Sequence, residues 1–132
     1  MHRTRPPWQA GRVNALGAKV HPRENPLAAA RREVREEAGV DVDDWAEFLV
    51  CNDVADRIHA VRAFDDRALA ARTAADQPVF LAAVGALPPN VIDNLRWLFP
   101  LALDRDVALA VRVRSAAASG SGLTEPDSFL TP

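Results

Sequence analysis

Alternating helix and strand patterns along 132 residues predict one domain of the α/β or α+β class. Three observations carry this. Residues 25–39 have the start, period and stop of a helix. Residues 46–52, 57–64 and 106–114 read as strands. A second apolar helical pattern, 91–104, precedes the last of them.

The elements follow in order. Residues 1–10 read as irregular, with Pro6-Pro7 holding them extended. A short strand is expected around Val13, broken by Gly17. In "NPLAAARREVREEAG", Asn25 suits the cap, Pro26 the first helical position and Gly39 the stop. "AEFLVCN" (46–52) and "RIHAVRAF" (57–64) read as strands joined by a turn at Asp53 to Asp56. "RALAARTAAD" (67–76) fits a helical turn or a loop. A buried-type strand is expected at 79–84. "VIDNLRWLFPLALD" reads as a helix that Pro100 must end, kink or start. "DVALAVRVR" alternates strictly, with Val107, Leu109, Val111 and Val113 on one half-buried face. The domain is assigned to 1–114. The tail "SAAASGSGLTEPDSFLTP" (115–132) is small and polar and reads as disordered.

Composition excludes several classes. Net charge is −2, without the basic footprint of a nucleic-acid binder. No apolar run nears the ~20 residues of a membrane span. "MHRTRPPWQAGR" lacks the apolar core of a secretory signal. Cys51 stands alone, so no internal disulfide forms and a reduced, cytoplasmic setting is expected. His2, His21 and His59 are scattered without zinc spacing.

The chemistry concentrates on the first helix. Leu27, Ala30, Val34 and Ala38 share one side, the face expected to be buried. Glu33, Glu36 and Glu37 cluster beside it, three and four residues apart, where like charges repel. They also sit toward the C-terminal end, where the helix dipole disfavours negative charge. One reading is a solvated face with an Arg32–Glu36 pair. The other is a hard divalent cation, Mg²⁺ or Mn²⁺, which takes oxygen ligands and offsets the repulsion.

Spacing favours the second. Glu24, Arg32, Glu33, Val34, Glu36, Glu37, Gly39 and Val40 occupy eight of nine positions of the Nudix box, and Ala18 replaces its first glycine. The sequence resembles the Nudix hydrolases. The resemblance implies an α/β/α sandwich around a mixed sheet and Mg²⁺- or Mn²⁺-dependent hydrolysis of nucleoside-diphosphate-linked compounds. It implies that Glu33, Glu36 and Glu37 hold the metal, with Glu33 also taking the proton of the attacking water. Arg32 would orient the glutamates, Glu24 would hold loop to helix, and Lys19 would approach the phosphates. The flanks "WQAGRVNALGAKV" and "DNLRWLFPLALD" resemble the MutT-type, oxidised-purine triphosphatase branch. There Asn14 and Asn94 would read the base near Trp97. Each also has a plainer role: Asn14 in a local loop bond, Asn94 as a helix cap, Trp97 as a core or rim aromatic. His21 is read as a surface residue.

Three features depart from the family pattern. Ala18 would be strained if its position needed a positive φ. Gln77 stands where many relatives carry a further glutamate, with Asp76 beside it. Only seven residues precede Trp8 and none forms a strand, so a first strand is missing and the start is read as truncated or set too late. The expected function is a nucleoside triphosphate pyrophosphohydrolase releasing a monophosphate and pyrophosphate. The alternatives are a Nudix-like nucleotide-binding module without turnover and a domain whose glutamates are merely solvated. No nucleic-acid polymer or membrane partner is expected, and the protein is read as a monomer or homodimer.

Overall fold

A computed structural model of the chain describes residues 1, 9–52 and 57–112. The expectations for the segment before Trp8, the turn at 53–56 and the tail 115–132 lie outside these residues.

Helix α1 spans Pro26–Ala38. Asn25 caps it by accepting the Ala28 N–H at 2.8 Å, and Gly39 ends it in the left-handed region at φ 67°. Strands β1 (Ala46–Asn52) and β2 (Arg57–Arg62) pair antiparallel, and β3 (Leu109–Arg112) joins the other edge of β1 in parallel. The result is a mixed sheet of order β2-β1-β3. The β1–β2 register slips between Glu47 and Leu49, which makes Phe48 a bulge residue. The bulge places Phe48 and its neighbour Leu49 in the same core cluster.

Helix α2 (Leu95–Leu103) lays Leu98, Leu101 and Ala102 against Phe48, Leu49 and Cys51 of β1. A second cluster joins Ala38 of α1 to Val40 and Val42, with Trp45 and Val79 packed around them. The third joins Val13, Val91 and Leu95. There the strand expected near Val13 is a single parallel bridge to Val91. Arg62 of β2 donates to the carbonyls of Leu101, Ala102, Asp104, Arg105 and Val107, satisfying the end of α2 and the turn into β3. Among the described residues no helix is long and apolar enough to cross a membrane.

Two expectations are corrected, and two readings left open by the sequence are resolved. Residues 79–84 are not a strand: Phe80 and Leu81 are 40% and 55% exposed, and a 3₁₀ turn begins at Val84. The Thr73 hydroxyl takes both backbone groups of Val79, the groups a ladder would need. The segment 67–76 resolves into a 3₁₀ turn, Asp66–Ala70, followed by a loop. Pro100 lies inside α2, on the exposed side, which excludes its ending or starting the helix and leaves the third reading, a kink. Leu109 is 42% exposed, so the alternating face of β3 is open at that position.

Candidate functional site

The buried side of α1 also differs from the expected stripe. Ala29 and Ala38 are buried, while Leu27, Ala30 and Val34 are only half-buried. Nine residues separate the two alanines, about 180° around a helix. The helix is therefore covered on opposite sides. Ala29, Glu33 and Glu37 follow one another at four-residue steps, so two of the glutamates continue a covered stripe. Glu33 is only 18% exposed in its side chain, whereas Glu36 is 55% exposed.

Arg32 organises the surroundings. Its Nε and Nη2 donate to the two oxygens of Glu24 at 3.0 and 3.2 Å, a bidentate pair. Nη2 also reaches the Lys19 carbonyl at 3.1 Å, and Nη1 reaches Glu33 and Glu36 at 3.4 and 3.3 Å. Glu24 further accepts the His21 N–H at 3.0 Å. Arg32 and then that N–H hold the Glu24 carboxyl down at about 2, from an ordinary 4.5. The Glu24 carboxylate in turn raises the Arg32 guanidinium. The loop 17–24 is thus clamped to the helix. Lys19 gives its carbonyl to the clamp and leaves its side chain in solvent. Ala18 carries no positive φ, since among described non-glycine residues only Arg23 and Asp44 do. The substitution of the glycine therefore strains nothing.

A second loop closes over the C-terminal end of the helix. Arg72 and Ala74 donate their N–H groups to the carbonyls of Ala38 and Glu37 at 3.0 and 2.9 Å. These ties carried no sequence signal, because backbone donors have none. Gln77 follows on this loop. Its Oε1 and the Oε2 of Glu37 are buried and accept no hydrogen bond. Asp76 is exposed.

Among the described residues, no three Asp, Glu, His or Cys side chains stand close enough to enclose a metal ion as placed. Arg32 holds Glu33 and Glu36 by one nitrogen, and Glu37 turns inward. The glutamates nonetheless suit a hard cation: their donors are all oxygens toward the negative end of a helix dipole, and Oε2 of Glu37 is buried and accepts no hydrogen bond. Glu33, Glu36 and Glu37 are the residues that could hold it.

The proposed base readers are not gathered with them. Asn14 accepts the Ala15 N–H at 2.8 Å and donates to Gln9 at 3.4 Å, so its amide is engaged within its own loop. Asn94 is exposed and makes no capping bond, and Trp97 is 46% exposed. A cavity of about 300 Å³ lies against α1 between two of the core clusters. Val34, Ala38, Trp45 and Leu95 are among its mostly apolar walls. Asn14 borders it; Asn94 and Trp97 do not.

The family model described as the NUDIX domain matches residues 1–113. No curated protein and no solved structure matches the chain. With the match spanning most of the chain and including the clamped loop and glutamate helix, the protein belongs to the Nudix family of hydrolases.

Proposed function

We propose that the protein is a Mg²⁺- or Mn²⁺-dependent pyrophosphohydrolase. It cleaves a nucleoside triphosphate, with an oxidised purine among the candidate bases, to monophosphate and pyrophosphate. The observation that carries this is the Arg32 clamp, which fixes loop 17–24 against a stripe of glutamates on a covered side of α1.

In this reading Glu33, Glu36 and Glu37 hold the cation. When bound, such an ion neutralises phosphate charge and acidifies water. Glu33 takes the proton of the water that attacks phosphorus, and pyrophosphate leaves as the other product. Arg32 orients Glu33 and Glu36, while Glu24 keeps Arg32 in place. Lys19, exposed on the clamped loop, meets the phosphates. Asn14, Asn94 and Trp97 face the base, the two asparagines offering donor and acceptor together. The reading places the chain in the MutT-type branch, as a cytoplasmic monomer or homodimer with a sandwich domain over 1–114. It gives the chain no nucleic-acid polymer or membrane partner.

The test is pyrophosphate release by the purified chain with Mg²⁺ over a panel of nucleoside triphosphates and nucleotide-linked diphosphates. Glu36→Gln should reduce turnover by roughly a hundredfold. A second reading, a nucleotide-binding module without turnover, is favoured by the lack of three converged acidic side chains among the described residues. It predicts nucleotide binding with no pyrophosphate released by either protein.

A further inference from the structure

Phe48, Arg62, Phe64 and Arg105 form a ladder of alternating rings and guanidinium groups. The Arg62 guanidinium lies 5.6 Å from the buried Phe48 ring and 6.0 Å from that of Phe64. Arg105 lies 3.9 Å over Phe64. Backbone carbonyls hold Arg62 in place, that of Arg105 among them at 2.6 Å. Arg105 is the outer rung. It is exposed and has no carboxylate partner among the described residues. Ala46, opposite Arg62 in the β1–β2 register, adds only a methyl group. A cleft of about 190 Å³ results, lined by Asp44, Ala46, Arg62, Phe64 and Arg105. Asp44 is exposed and likewise has no cationic partner among the described residues. Opposite charges therefore share one cleft without pairing. None of the five residues belongs to the Arg32 clamp or the glutamate stripe.

A guanidinium plane stacks on planar heteroaromatic rings, as it does on nucleobases. A carboxylate accepts from two adjacent N–H groups at once. We propose that this cleft is a second ligand site, which takes a planar heteroaromatic ring with adjacent N–H donors, as guanine has. The ring stacks on Arg105 and extends the ladder. Its donor edge meets Asp44, and Arg62 supports the platform from beneath. The site needs no metal, so it stands apart from the reading above.

Titration of GMP into the full chain with EDTA present, followed by calorimetry, tests this without metal or turnover. IMP, which lacks only the exocyclic amine, is the comparison, and GMP should bind more tightly. Arg105→Ala and Arg105→Lys should each weaken GMP binding roughly tenfold, because both remove the planar face. Asp44 has φ 57°, which asparagine also tolerates. Asp44→Asn should therefore keep the fold, weaken GMP binding by a similar factor and remove the preference over IMP. Asn14→Ala and Glu36→Gln should bind GMP as the wild-type chain does. If the Arg105 variants lower the melting temperature but leave GMP affinity unchanged, the ladder is structural only and the proposal fails. Loss of binding in Asn14→Ala, with wild-type affinity in the Arg105 and Asp44 variants, places GMP elsewhere and overturns it as well. So does the absence of GMP binding by the wild-type chain.

Discussion

A guanidinium presents its donors in a rigid fork, and Arg32 spreads that fork over Glu24, Glu33, Glu36 and the Lys19 carbonyl. The pair with Glu24 makes stability depend on pH. The Glu24 carboxyl is depressed from 4.5 to about 2 on folding, so the unfolded chain takes up its proton first. Its contribution is complete above the ordinary value and is lost as pH falls from there toward 2. Asp41 beside Arg31, and Asp65 beside Arg67, are lowered for the same reason and lose theirs in the same direction. Urea unfolding from pH 6 to pH 3 should show a falling midpoint. Glu24→Gln should start lower and fall less steeply. A variant slope equal to the wild-type slope would remove Glu24 from the account. At this scale the clamp was legible, because ion pairs and metal ligands demand fixed spacing along a helix. The engagement of Asn14 with Ala15 and Gln9 was not, because a local amide bond depends on the loop path.

The elements were legible where backbone chemistry is local. Asn25, Pro26 and Gly39 delimit α1 by rules that need no distant partner. The strand expected at 79–84 failed because its apolar pattern says nothing of Thr73, which takes the Val79 backbone groups. Two substitutions test the loops around α1. Gly39→Ala forces a Cβ into the left-handed region and toward Ala74, so stability should fall by about 1–2 kcal/mol. Ala18→Gly restores the motif residue where no positive φ exists. It should therefore lower stability by about 0.4–1 kcal/mol through the freer unfolded chain. A rise on thermal melting would show that Ala18 is strained after all. The end of α2 supplies a third case. Arg62→Lys replaces a planar fork that reaches five carbonyls with a single ammonium. A loss of about 1.5–3 kcal/mol is expected, the range for hydrogen bonds to a charged group. It is read from chemical denaturation at constant slope.

For the whole molecule, the sheet order depends on a connection that crosses from β2 through two 3₁₀ turns and α2 to reach the far edge of β1. Hydrophobic pattern cannot reveal that edge choice, since it encodes which face is buried and not which neighbour is paired. Two of the three core clusters leave a cavity of about 300 Å³ between them, walled in part by Ala63, Ala68 and Ala71. Cavity walls lose dispersion contacts they would otherwise make, so packing there is below what a continuous core provides. Two forces then oppose each other when a wall residue is enlarged. Added apolar atoms gain burial, while a site with no room answers with strain of about 1–3 kcal/mol. With this volume the first should win. Ala68→Leu is expected to raise stability by about 0.5–2 kcal/mol, read as a higher melting temperature. A lower melting temperature would mean that the cavity closes in solution and that the clusters already form one core.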